Sequence, residues 1–219
     1  RLSRWPQELT LGFEKCFEPR YGENPHQKAC VYKQAQDNSP NILNATIHQG
    51  KLLSYNNLVD AEAALNCVIE FDAPTCVIVK HANPCGVACG DNLLDAYDKA
   101  LACDSRSAFG GVIAFNKLVT RSIAEKLSEM FLEIVIAPEF SEQALGVFSK
   151  KKNLRVLELG GLPTSQQFLK YKSIRGGMLV QENDYQGLSV SDLNVASKIK
   201  PSQEQKESLV FAWKVLKHV

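Results

Sequence analysis

The chain has 219 residues, with 25 Lys plus Arg against 24 Asp plus Glu for a formal charge of +1; 45% of its residues are hydrophobic and 8% aromatic. That composition excludes a disordered or fibrous chain, and the near-zero charge removes the electrostatic case for a nucleic-acid partner. No apolar run approaches the ~20 residues of a membrane span, and no signal peptide is visible from Arg1 onward.

Residues 1–17 mix charge with Trp5 and Pro6 and read as a connector; the polar run 33–41 reads as a loop. A helix is expected from Asp60, its predicted N-cap, because Ala61, Ala64, Leu65, Val68 and Ile69 recur on one face. Pro74 ends that pattern. The run Cys76-Val77-Ile78-Val79 reads as a buried strand, followed by a turn at Asn83-Pro84-Cys85-Gly86 and a helix over about 91–103. Further strands are predicted at 112–115, 134–137 and 154–157, with helices at about 120–131 and from a Ser141 cap through Phe148. Strand and helix alternate four times, which predicts an α/β layer around a mostly parallel sheet. The alternation stops at Gly160; a polar stretch with Gly176-Gly177 leads to a last helix over 201–217, with Pro201 as its first residue.

Seven cysteines, an odd number scattered through apolar stretches, fit a reduced, cytoplasmic setting. The chain begins with Arg1 and ends at Val219 inside a helical pattern, so it is expected to be a piece of a longer polypeptide.

Three segments could carry chemistry. The first, Lys80 to Gly86, follows the most strand-like run, where ligands of open α/β sheets collect at strand carboxyl ends. Successive strand residues point to opposite faces, so Lys80 and His81 meet one ligand only if the strand ends between them. Lysine supplies a fixed cation, and an imidazole exchanges protons near neutral pH. A helix-capping His beside a surface Lys fits the same residues. The second segment, 20–27, gathers polar and turn-forming side chains around Arg20, a fork for phosphate or carboxylate, and Tyr21, a donor with a stacking face. An exposed turn with incidental charges would read the same. In the third, Gly110-Gly111 would let a ligand approach the backbone, or merely permit a tight turn, and Glu133 heads a strand beside it.

His81, Cys85 and Cys89 raise a rival, a zinc-dependent base deaminase. Against that signature, Asn83 stands where the proton-shuttling Glu belongs, and the cysteines are spaced C-x-x-x-C. A third reading is a non-catalytic nucleotide-binding fragment.

Taken in order, RYGENPHQKA (20–29), GKLLSYNNLVDAEAAL (50–65), CVIVKHANPCGVA (76–88), SAFGGVIAFN (107–116) and EIVIAPEF (133–140) resemble the AICAR formyltransferase family, the transformylase part of bacterial-type bifunctional purine biosynthesis proteins. The resemblance implies a three-layer, cytidine-deaminase-like lobe without zinc at 18–168. It also implies a connector at 1–17 from an absent cyclohydrolase domain and the start of a smaller helical joining region at 169–219. The implied reaction moves a formyl group from the co-substrate 10-formyltetrahydrofolate to the 5-amino group of AICAR, in the cytoplasm, in a homodimer that shares its active site, with no metal. The implied roles are catalytic for His81, as the base, and for Lys80, which offsets charge developing on the formyl oxygen. Arg20, Tyr21, Gly110, Glu133 and Asn57 would bind substrate. Glu133 is Asp in some relatives, which leaves its hydrogen bond less secure.

Overall fold

The computed structural model describes residues 5–164, 168–184 and 186–219; residues 1–4 of the expected connector and 165–167 of the expected lobe lie outside that set. The elements run β1 (Phe13–Phe17), β2 (Val31–Gln34), β3 (Thr46–Gln49), α1 (Tyr55–Val68), β4 (Thr75–Lys80), β5 (Asn83–Cys89), α2 (Leu93–Cys103) and β6 (Val112–Phe115). They continue with α3 (Arg121–Leu127), β7 (Ile134–Ala137), α4 (Glu142–Phe148), β8 (Arg155–Glu158), β9 (Leu169–Ile174), β10 (Gly177–Glu182) and α5 (Gln203–Leu216).

Six strands form the central sheet in the order β3-β8-β7-β6-β4-β5. The β6–β7 and β7–β8 joints are parallel and the other three antiparallel, so β5 to β8 share one direction while β3 and β4 oppose it. The mostly parallel sheet expected from the alternation therefore holds for four strands of a mixed sheet. Its apolar runs have a simple cause: alternate residues face opposite sides, and both sides are covered. Cys76, Ile78, Ile113, Phe115 and Val135 pack under α2, α3 and α4, whereas Val77, Val79, Val112, Ala114 and Ile136 pack under α1. Three layers result.

β6, β7 and the Ser141-capped α4 coincide with the runs predicted for them. Elsewhere the structure differs. α1 starts six residues earlier than expected, in a capping box: the Ser54 hydroxyl accepts from the Asn57 N–H at 3.1 Å, and the Asn57 side-chain oxygen accepts from the Ser54 N–H at 3.2 Å. Asp60 is therefore an interior residue of α1, not its cap. The expected turn at 83–86 is the start of β5, an edge strand where Pro84 removes no needed donor. α3 is shorter than 120–131, its last turns giving way to a non-helical bend after Ser128. Pro201 stands just outside α5, whose cap is Ser202. The connector contributes β1, paired with β2, and the polar stretch after Gly160 contains the β9–β10 hairpin.

Buried Asn116 secures the entry to β4. Its side chain accepts from the Thr75 N–H at 2.8 Å and donates to the carbonyls of Phe71 and Ala73, both at 2.7 Å, leaving no polar atom unmet. α5 folds back on the end of α1: the Glu70 carboxylate meets Lys217 at 2.8 Å and His218 at 3.3 Å, and Phe71 packs on Phe211. Burial pushes the Glu70 carboxyl up, but the hydrogen bonds and charges of His218 and Lys217 outweigh it and hold it below the ordinary carboxylate value. Among the described residues no helix is long and apolar enough to cross a membrane.

β5 and α2 approach closely at Gly86, where a Cβ would lie 2.1 Å from the Ala100 carbonyl oxygen in α2. Both groups are backbone, so only separating β5 from α2 relieves the clash. Gly86→Ala should destabilise the fold by about 2–3 kcal/mol. Gly146→Ala, inside α4 with open space around it, should instead stabilise by about 0.5–1 kcal/mol. Urea denaturation of both variants tests the contrast.

Candidate functional site

The site grows from the end of β4. Lys80 pairs with Asn83, leaving His81 and Ala82 as a two-residue hairpin loop. Such loops need φ > 0 at both central positions, normally supplied by Asn, Asp or Gly. Here both residues carry a Cβ, with φ of +54° at His81 and +61° at Ala82, at a cost of roughly 1–2 kcal/mol each. Two hydrogen bonds hold the loop: the Ala82 N–H donates to Asp60 Oδ1 at 2.7 Å, and Asn83 Nδ2 donates to the His81 carbonyl at 3.1 Å. The strand thus ends between Lys80 and His81, the condition under which they can serve one ligand. The imidazole is exposed and makes no hydrogen bond to the described residues.

Lys80 turns toward the mouth of β6, where its ammonium donates to the Gly110 carbonyl at 2.8 Å and retains two further N–H donors. Gly110 is itself left-handed, φ +69°, and its N–H donates to the Phe131 carbonyl at 2.8 Å. Phe109 and Phe131 pack beside it with tilted rings, their centroids 5.5 Å apart. At the head of β7, the Glu133 carboxylate accepts from Asn57 Nδ2 at 2.7 Å. Asn57, only 5% exposed, so joins the cap of α1 to the site.

Five of the seven predicted residues, namely Lys80, His81, Gly110, Glu133 and Asn57, therefore gather at one end of the sheet. Arg20 and Tyr21 form no hydrogen bond or ion pair with them among the described residues. Their loop is closed on itself by Gly22 N–H to the Gln27 carbonyl at 2.8 Å, and tied to α1 by Asn56 Nδ2 donating to the Glu23 carbonyl at 3.2 Å. One geometric expectation changes. Because β4 runs antiparallel to β6, the site lies at the carboxyl end of β4 but at the amino ends of β6 and β7.

Sequence reasoning missed Asp60 as a site residue by taking it for a cap. Burial lifts its carboxyl above the ordinary value; the Ala82 N–H, His81 and Lys80 oppose the shift and Glu133 adds to it. The only available signal was its spacing, three residues after Asn57 and on the same helix face.

The zinc reading fails on geometry. Cys89 pairs opposite Thr75 at the far end of the hairpin from His81, roughly 20 Å of extended strand away. Cys85 bulges out of the ladder onto the opposite sheet face from Cys89. A cavity of about 330 Å³, lined in part by Met130, Phe131 and Lys150 to Lys152, shares Phe131 with the site, but none of the seven predicted residues lines it.

A family model described as AICARFT/IMPCHase bienzyme matches residues 1–219. The chain is 51% identical over 215 residues to the bifunctional purine biosynthesis protein PurH of Caldicellulosiruptor bescii, an alignment covering 97% of this chain and 42% of that protein. It is 46% identical over 218 residues to PurH of Leuconostoc citreum, covering 100% of this chain and 43% of that one. The chain thus spans about two-fifths of the length of these relatives.

At Gly110 a Cβ would sit 3.2 Å from the Lys80 ammonium and 3.4 Å from the Phe131 ring, on a backbone that disfavours side chains. Gly110→Ala is expected to cost about 1–2 kcal/mol in chemical denaturation. An unchanged midpoint would show that the left-handed turn is not maintained in solution.

Proposed function

Since the chain belongs to the AICARFT/IMPCHase bienzyme family, we propose that the protein containing it transfers a formyl group from 10-formyltetrahydrofolate to the 5-amino group of AICAR, a step of purine biosynthesis. The observation that carries this reading is the end of β4, where an exposed imidazole with no hydrogen bond among the described residues follows an ammonium anchored on the Gly110 carbonyl. In this reading residues 18–168 form the first transformylase lobe, of cytidine-deaminase kind, and 169–219 begin the joining region.

The donor set suits the formyl end of the folate. Lys80 keeps two N–H donors beyond its bond to Gly110, as a developing oxyanion requires. The co-substrate would supply the formyl carbon. The 5-amino group of an aminoimidazole carboxamide shares its lone pair with the ring and is a weak nucleophile, so the proton it sheds on attack needs a positioned acceptor. The neutral form of the His81 imidazole would accept it; as the tetrahedral adduct collapses, the bond from the formyl carbon to folate N10 breaks and that proton passes to N10, releasing tetrahydrofolate. The Lys80 ammonium, held by a backbone carbonyl rather than by a carboxylate, keeps its full charge for the oxygen that becomes negative.

Glu133, oriented by Asn57, offers a carboxylate to donors on the nucleotide, and Arg20 offers its guanidinium to the phosphate. The remaining wall, including the surface for the rest of the folate, would come from segments beyond this chain and from the second subunit of a cytoplasmic homodimer.

In the full-length protein, His81→Ala should lower formyl transfer by roughly 10²–10⁴-fold, the usual scale for a lost general base. Full activity with an unchanged melting temperature would discard the assignment. Arg20→Ala should weaken AICAR binding by roughly tenfold or more, the scale of a lost charged hydrogen bond. A Kd unchanged in calorimetry counts against its phosphate role.

A further inference from the structure

We propose that Asp60 is a positioning residue for His81: from the second turn of α1 its carboxylate accepts the Ala82 N–H at 2.7 Å and locks the left-handed His81–Ala82 loop in the form that presents the imidazole next to Lys80. The inference rests on the reading of His81 as the base. It begins from a mismatch between residue type and backbone. The loop adopts a conformation suited to Asn-Gly yet is built from His and Ala, so its own preferences pull it toward other states. Strain of that kind persists only where the surroundings over-determine it. The ladder fixes Lys80 against Asn83, and the Asn83 side chain caps the His81 carbonyl, but both restraints come from within the hairpin. Asp60 supplies a hydrogen bond to the loop from outside, on a helix packed against β4 and β6.

That helix is also the element that orients Glu133. Asn57 and Asp60, three residues apart, present one side chain to Glu133 and one to the loop. The base and the carboxylate are thereby registered to a common frame, although they belong to strands separated in the sheet by β6. A carboxylate is an expensive choice for this duty, since burial raises its pKa. A charged acceptor in turn makes the stronger bond to a backbone N–H, which matters where the bond must hold a strained loop.

The test uses the full-length protein with Asp60→Ala and Asp60→Asn. Asp60→Ala should lower kcat for formyl transfer by about 10–100-fold, the scale of a misplaced catalytic group. The AICAR Kd from calorimetry should stay within about twofold, and amide hydrogen exchange across residues 80–83, above all at Ala82, should quicken. Asp60→Asn keeps a side-chain oxygen that can accept the Ala82 N–H. It should recover most of the lost kcat and of the slow exchange. A wild-type kcat in Asp60→Ala, when His81→Ala is impaired, overturns the positioning role alone. Wild-type rates in both Asp60→Ala and His81→Ala overturn the base assignment beneath it. An Asp60→Asn protein as impaired as Asp60→Ala, yet with slow exchange preserved, also overturns the proposal, because the carboxylate's charge would then be acting rather than its hold on the loop.

Discussion

A hairpin of only two loop residues joins β4 to β5, and the chain makes it from His81 and Ala82 rather than from glycine or asparagine. The backbone cost of that choice is met by rigid surroundings. β4 is buried on both faces between layers, so its end cannot drift, and Asn116 clamps its entry. The left-handed turn then breaks the strand alternation between Lys80 and His81. A strand continuing past Lys80 would send the two side chains to opposite sides of the sheet. The release of Lys80 and His81 from strand alternation is thus a property of backbone geometry before it is one of side chains.

The polarity of the sheet decides what surrounds that turn. β5, α2 and β6 form a crossover in which β5 and β6 run the same way, but β4 lies between them and runs against both. The end of β4 consequently faces the beginnings of β6 and β7. Strand beginnings bring what precedes them: the left-handed Gly110 ahead of β6, with a carbonyl turned to Lys80, and Glu133 ahead of β7. In an all-parallel sheet these groups would lie at the opposite edge from Lys80.

How much of this was legible in the sequence depended on the kind of signal. Val112–Phe115 and Ile134–Ala137 were recognisable because strands covered on both faces are uninterruptedly apolar, and α4 because Ser141 precedes an apolar period. α1 was misjudged at its start: its apolar period was read from Ala61, although Leu58 already packs on the same face, and Asn56, Asn57 and Asp60 carry polar side chains committed to the Glu23 carbonyl, to Glu133 and to the hairpin loop. Their commitments were hidden because their partners are distant in sequence. β5 was hidden by Asn83, Pro84 and Gly86, turn-formers that an edge strand tolerates. The parallel run of β6, β7 and β8 was legible from the alternation, but the reversal of β4 was not, since alternation of strands and helices is the same whether a crossover lands beside its origin or skips a strand. The five clustered site residues were marked by chemistry and by family resemblance; Asp60 was not, because its role is exerted through a backbone N–H and leaves no local motif.

One helix end gathers these threads. Within two turns, α1 sends Asn56 to the Glu23 carbonyl, Asn57 to Glu133 and Asp60 to the Ala82 N–H. The Arg20–Tyr21 loop, the head of β7 and the end of β4 come from separate parts of the chain, and each is fixed to the same few residues. Arg20 and Tyr21 make no bond to the cluster among the described residues, so their placement relative to His81 depends on the Asn56 tether and on packing around buried Pro19 and Gly22. A ligand spanning from that loop to the imidazole would therefore lie across the amino end of α1. Rotation of this helix by a fraction of a turn would move all three attachments together. The capping box at Ser54 accordingly does more than start a helix: by fixing where the first turn begins, it sets the spacing between the loop with the guanidinium and the strand ends with the imidazole and the carboxylate.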